Sequence, residues 1–113
     1  MGDYRLTVRA GGKIERERYD HLGQALAAIE RHVREMERTA AARATGGRLI
    51  RPFEPVQQVV GRVEVKAPRG LRAGVDVRGD SSSEAYTGRV RRALVAQREG
   101  ESAHAALRRV LAP

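Results

Sequence analysis

The chain has 113 residues, enough for one domain with a single core but too few for two independent cores. It contains no cysteine, which excludes disulfides, thiolate metal sites and cysteine nucleophiles. The formal net charge is +8, and residues 47–113 carry 13 basic and 7 acidic residues against 9 and 7 in residues 1–46. This uneven charge favours a polyanionic partner. Arginine outnumbers lysine 20 to 2, however, and a GC-rich genome produces the same bias without selection for binding.

The N-terminal sequence has no apolar stretch of the kind found in signal peptides. No window approaches the about 18 consecutive apolar residues of a membrane span. We therefore expect a cytoplasmic protein with no membrane partner.

A β-hairpin is predicted at the N-terminus, where apolar and polar residues alternate with the period of two that is typical of a half-buried strand. The turn falls at Gly11–Gly12, because glycine adopts the positive φ that tight hairpins require. A three-residue loop would place Val8 opposite Ile14, and Arg5 opposite Glu17.

A long helix follows, with Asp20 as the expected N-cap and an end near Thr45. Its apolar residues recur at alternating spacings of four and three: Leu22, Leu26, Ile29, Val33, Met36 and Ala40. Such a helix is longer than a strand of six or seven residues. We therefore expect its last turns, residues 39–44, to overhang the sheet.

Residues 46–55 form an internal connector with two prolines, and three strands are predicted after it. The residues that share a face are Val59, Gly61, Val63 and Val65 in the first strand, Leu71, Ala73, Val75 and Val77 in the second, and Tyr86, Gly88, Val90 and Leu94 in the third. Apolar spacing from Ala103 to Leu111 predicts a closing helix. The sequence thus predicts one α+β domain over residues 1–113, with the order β-β-α-β-β-β-α, a mostly antiparallel sheet and both helices on one face.

The sheet face opposite the helices is expected to be rich in arginine, whose guanidinium groups bind phosphate oxygens bidentately. The candidate nucleic-acid-binding residues are Arg62, Lys66, Arg72, Arg78, Arg89 and Arg91. A solvated face with cross-strand ion pairs is the competing interpretation. The chain has few aromatic residues, one Phe, three Tyr and no Trp, so duplex or structured RNA contacted through its backbone fits better than a single strand stacked on aromatic rings.

From Asp20 onward, the predicted order α-β-β-β-α is similar to that of double-stranded-RNA-binding domains and to the βαβββα arrangement of ribosome hibernation factors. The resemblance is one of element order, and it implies an α+β fold that contacts RNA or a ribonucleoprotein.

The alternative function is a homo-oligomeric structural or adaptor protein that binds no nucleic acid. The a/d-like spacing of the long helix makes Met36, Ala40 and Ala44 the candidate self-association residues, and a homodimer through this end or through the open sheet fits the pattern. The competing interpretation is that the helix simply buries this stripe against its own sheet.

No catalytic, metal or cofactor motif is present, so we expect a protein that is not an enzyme and has no cofactor. His21 and His32 lie eleven residues apart on one helix, about 16 Å along its axis, which is too far to share a metal ion. His104 belongs to the other helix and has no neighbour at ligand spacing.

Overall fold

The structure, a computed structural model, describes residues 3–45, 58–88 and 91–112, without the side chains of residues 44 and 45. Within these residues two helices pack on one antiparallel sheet. The elements are β1 (Tyr4–Ala10), β2 (Lys13–Tyr19), α1 (Leu22–Thr45), β3 (Val59–Lys66), β4 (Arg72–Arg78), β5 (Ser83–Thr87), β6 (Ala93–Leu94) and α2 (Ala103–Leu111). The strand order across the sheet is β2-β1-β3-β4-β5-β6.

The core lies between the helices and one face of the sheet. Val8, Val63 and Val75 stand directly opposite one another in β1, β3 and β4, and all three are buried. Leu6, Val65 and Ala73 form a second buried row beside them. β-branched side chains suit such rows because their stiff rotamers pack well on a pleated surface.

Both helices cover this face with their apolar stripes. The buried residues of α1 are Ala25, Leu26, Ala28, Ile29, Val33, Met36 and Ala40, and those of α2 are Ala103, Ala106, Leu107 and Leu111. The predicted α+β class, the antiparallel sheet and the placement of both helices on one face are therefore confirmed. The structure adds a short sixth strand, β6. The connector predicted over residues 46–55 lies outside the described residues.

The register predicted for the N-terminal hairpin is wrong by one residue on the return strand. Ala10 pairs with Lys13, so the loop contains only Gly11 and Gly12, whose φ angles are +57° and +82°. Positive φ at both loop residues is the conformation of the two-residue turns that match strand twist. Val8 consequently lies opposite Glu15, and Ile14 lies opposite Arg9 on the other face of the sheet.

The start of α1 also differs slightly from the prediction. The Ala25 N–H donates to the His21 carbonyl at 3.1 Å, which places the N-cap at His21 and leaves Asp20 one residue outside the helix.

The third strand after the connector is not continuous. The chain leaves β5 after Thr87 and returns as β6, so that Tyr86 pairs with Leu94 in antiparallel orientation. Gly88 has φ +92°, and a Cβ there would lie 2.6 Å from the Arg91 carbonyl oxygen, a geometry that only glycine permits. Tyr86, opposite Gly74, therefore lies on the sheet face that turns away from the helices. Val90, which was predicted to share its face, lies outside the described residues.

Three apolar residues assigned to strand faces are exposed: Val59, Leu71 and, most of all, Leu94 of β6 at 66%. Leu71 precedes β4, and Val59 lies beyond a register shift in the pairing of β3 with β4 between Val59 and Gly61. The buried faces of these strands therefore begin at Gly61 and Ala73.

An ion pair fastens α2 to the loop before it. The Glu101 carboxylate accepts hydrogen bonds from Arg109 Nε at 3.0 Å and Nη2 at 2.9 Å, and from the backbone N–H of Arg98 at 2.9 Å. These donors, Arg109 first, lower the pKa of Glu101 from its usual 4.5 to about 2. Ser102 caps the helix by accepting from the Ala105 N–H at 3.2 Å.

We expect Glu101→Gln to lower the urea midpoint of unfolding at about pH 7, because the amide cannot replace the charged bidentate contact. The pKa of Glu101 is lower in the folded state than in the unfolded state, so the folded state binds fewer protons. The contribution of the Glu101 carboxylate to the free energy of unfolding is therefore complete above about pH 4.5. It is lost as the pH falls towards about 2, where the wild type and the variant should have the same midpoint. A difference that stays constant from about pH 7 to about pH 2 would contradict this assignment.

Candidate functional site

The sheet face that turns away from both helices is strongly basic. Alternation along each strand places on it Arg5 and Arg9 of β1, Arg16 and Arg18 of β2, Arg62 and Lys66 of β3, and Arg72 and Arg78 of β4. Three carboxylates stand on the same face: Glu64, Asp76 and Glu84. No described element packs over this face.

Four of the cations form a single row across the sheet, here called the cationic row: Arg18, Arg5, Lys66 and Arg72. Each lies directly opposite the next in a neighbouring strand, so the row spans about 14 Å at the usual strand spacing. Like charges in directly opposed positions destabilise a sheet. The row is therefore unfavourable for folding, and a bound anion would relieve it.

Only one end of the cationic row is relieved by a carboxylate. Asp3 accepts from Arg5 at 3.0 Å and from Arg18 at 2.8 Å. At the other end, Lys66 and Arg72 have no salt bridge to any described residue.

A groove of about 480 Å³ runs over the cationic row. It is lined by six cationic residues, Arg5, Arg9, Arg16, Arg18, Lys66 and Arg72, and by the acidic residues Glu17 and Glu64. Glu64 accepts from Arg9 Nε at 3.0 Å. The groove thus has a large excess of positive charge.

The carboxylate of Glu17 is engaged on the helix side of the sheet. The Tyr19 hydroxyl donates to it at 2.8 Å, and His32 Nε2 lies 3.0 Å from its other oxygen. Burial raises the pKa of Glu17, but the contacts with Tyr19 and His32 outweigh burial and hold it below its usual value.

Two of the predicted site residues are neutralised by neighbours within the sheet. Arg62 donates through two nitrogens to Asp76, at 2.5 and 3.2 Å, and this contact raises its pKa. Arg78 Nη2 donates to Glu84 at 2.7 Å. Arg62 and Arg78 therefore fit the interpretation of cross-strand ion pairs, whereas Lys66 and Arg72 do not.

The side chain of Tyr86 lines the groove beside the cationic row. Its ring lies against Gly74, where a Cβ would be 2.5 Å from the Tyr86 hydroxyl and 2.7 Å from Cζ. The guanidinium of Arg92 stands 4.7 Å from the ring centroid, and that of Arg62 stands 5.8 Å from it. The side chain is only 3% exposed, although it lies on the face opposite the helical core.

The hydroxyl of Tyr86 is buried and has no hydrogen-bond partner among the residues that the structure describes. Burial raises its pKa to about 12, and the nearby Glu64 carboxylate adds to the shift. The phenol is therefore neutral at physiological pH.

Five of the six predicted binding residues are described, and they fall into three groups. Lys66 and Arg72 line the groove, and Arg62 and Arg78 lie on the same face in ion pairs. Arg91 is exposed in the loop before β6 and does not line the groove. Arg89 lies outside the described residues.

Five cations of this face were not among the predicted binding residues: Arg5, Arg9, Arg16, Arg18 and Arg92. Arg16 and Arg18 belong to β2, whose register was predicted wrongly, and a two-residue Gly-Gly loop would have placed them correctly. Arg92 follows the chain reversal that alternation could not reveal.

The candidate self-association residues are largely covered by this chain. Met36 is 7% exposed and packs over Gly61 of β3, and Ala40 is 3% exposed. The side chain of Ala44 is not among those described. The burial of Met36 favours packing of α1 on its own sheet, and self-association through this stripe stays an untested prediction.

Metal ligands do not cluster in the described part of the chain: no group of three or more His, Asp or Glu residues there is arranged to hold an ion. Neither described helix is long and apolar enough to cross a membrane.

Comparison with known proteins found no matching family model, no matching curated protein and no matching solved structure. The RNA contact implied by the resemblance to double-stranded-RNA-binding domains therefore stays a prediction.

We expect Gly74→Ala to destabilise the protein by about 1–3 kcal/mol, the usual cost of overpacking. The added methyl would meet the Tyr86 hydroxyl at 2.5 Å and the Val63 carbonyl oxygen at 2.6 Å, and this backbone atom cannot move aside. Gly61→Ala is the matched control, because its methyl meets the Sδ of Met36, a flexible side-chain end, at 2.7 Å. Urea unfolding should show a change of less than about 1 kcal/mol for Gly61→Ala. Equal destabilisation by both variants would contradict the close packing of Tyr86 on Gly74.

Proposed function

We propose that this protein is a non-enzymatic module that binds the phosphate backbone of duplex or structured nucleic acid in the groove over the cationic row. The observation that carries the proposal is the alignment of Arg18, Arg5, Lys66 and Arg72 in one register row, with two of them lacking a carboxylate partner among the described residues. A sheet keeps such a row at a cost in stability, which phosphate oxygens would offset.

Compositional bias alone does not account for this arrangement. The interpretation of a solvated face explains Arg9, Arg62 and Arg78, because each has a cross-strand carboxylate. It leaves Lys66 and Arg72 side by side without an ion pair to any residue in the described part of the chain. Lys66 is also one of only two lysines, so it does not belong to the arginine bias.

The site favours backbone contacts over reading of bases. The aromatic residue on this face, Tyr86, is buried beneath Arg62 and Arg92 and offers no ring for a base to stack on. Tyr4 and Tyr19 pack against the core on the helix side. Affinity would then come from phosphate contacts and counterion release, with little dependence on sequence.

The proposal is tested by fluorescence anisotropy with labelled duplex RNA, duplex DNA and single strands at about 50 to 200 mM salt. Neutralisation of about four phosphates gives a log–log slope near −3.6, so affinity for a duplex should fall on the order of 100-fold across this range. Weak, equal binding to every ligand with a shallow slope would contradict the proposal. A stable dimer in the same samples would then support the alternative of a self-associating structural protein.

Charge reversal at the two lysines distinguishes binding in the groove from binding to the rest of the surface. Lys66→Glu should lower duplex affinity about tenfold and reduce the salt slope by about one phosphate, because Lys66 lines the groove. Lys13→Glu makes the same change in net charge at the end of the hairpin, on the helix side of β2, and should alter affinity less than about twofold. Both variants should remain folded by circular dichroism. Equal losses of affinity would mean that net charge, rather than the groove, determines binding.

A further inference from the structure

The Tyr86 hydroxyl is the polar group in the groove that ion pairing and packing leave unexplained. Buried polar atoms are nearly always hydrogen-bonded, and one without a partner requires a physical reason. In the described part of the chain only two buried side-chain polar atoms lack a partner, this hydroxyl and Nδ1 of His104. Of the two residues, only Tyr86 lines the groove.

The register places the hydroxyl next to the unpaired end of the cationic row. Gly74 lies opposite both Glu64 and Tyr86, and the tyrosine ring extends over it towards β3. The Cα atoms of Lys66 and Arg72 lie one pleat further along their strands, about 7 Å from those of Glu64 and Gly74 by strand geometry. The long, flexible side chains of Lys66 and Arg72 can reach an anion that also contacts the hydroxyl.

Two guanidinium groups lie over the Tyr86 ring, and one of them can be displaced. Arg62 is held by Asp76, but Arg92 is exposed and has no carboxylate partner among the described residues. Its contact with the Tyr86 ring is a cation–π interaction, which is weak at exposed sites. An incoming anion would also attract the guanidinium of Arg92, so uncovering the phenol and binding the anion act in the same direction.

We infer that Tyr86 is a binding residue whose hydroxyl donates a hydrogen bond to a phosphodiester oxygen held by Lys66 and Arg72. The inference rests on the proposed function and adds a neutral donor to its cationic site. Because burial raises the pKa of Tyr86 to about 12, the phenol keeps its proton and repels no anion at physiological pH. Gly74 is then required at this position, because any side chain there would displace the ring.

Tyr86→Phe tests the inference, because it keeps the ring and removes only the hydroxyl. Anisotropy with a labelled RNA duplex of about 16 base pairs should show affinity reduced about tenfold at fixed salt. The salt slope should not change, because a neutral donor releases no counterion. Stability to urea should be unchanged or increased, because the variant removes a buried polar atom that has no partner within residues 3–45, 58–88 and 91–112.

Tyr19→Phe is the matched control. Its hydroxyl donates to Glu17 on the helix side, so its removal should lower stability and leave duplex affinity unchanged. Unchanged affinity of Tyr86→Phe, with a wild type that binds and a Lys66→Glu variant that binds weakly, would overturn the inference and leave the proposed function standing. A wild type that does not bind the duplex would overturn both.

Discussion

The pairing of β1 with β3 is the interaction on which the rest of this structure depends. It joins the N-terminal hairpin to the strands that follow the connector, and it brings Leu6 opposite Val65 in the core. Because side chains alternate along a strand, the same register necessarily places Arg5 opposite Lys66 on the other face. A slip of one residue would expose the buried row and break the cationic row together. The core and the groove therefore share one constraint.

This coupling explains how the sheet tolerates four opposed cations. Apolar burial on the helix side specifies the register, and this register fixes the positions of the guanidinium and ammonium groups on the other side. Carboxylates relieve most of the face, with Asp3, Glu64, Asp76 and Glu84 each accepting from at least one arginine. The unrelieved end at Lys66 and Arg72 lies beside the Tyr86 hydroxyl, which has no partner among the described residues, and is where we propose that an anion binds.

Alternation and helical periodicity were sufficient to predict the fold class, the long helix and the strands before Tyr86, because these depend on local spacing. The hairpin register was not predictable in the same way, since a glycine pair is compatible with loops of two or three residues. The reversal of the chain after Thr87 was not predicted, because the alternation of apolar and polar residues continues through Leu94 in the sequence. Lys66 and Arg72 were identified as candidates, but the cationic row depends on the strand order β2-β1-β3-β4, which only long-range pairing determines. Tyr86 was assigned to the core face, since the alternation of its apolar neighbours was the only signal.

The most direct test of the central claim is the location of bound nucleic acid, measured by two-dimensional amide NMR during titration with an unlabelled RNA duplex. The amide signals of Lys66, Gly74 and Gly88 should shift progressively, because these residues lie at the groove. The signals of Gly23 in α1 and Gly100 before α2 should not move. Shifts concentrated on α1, or small shifts spread evenly over the whole surface, would contradict the claim that this register row forms the anion-binding site.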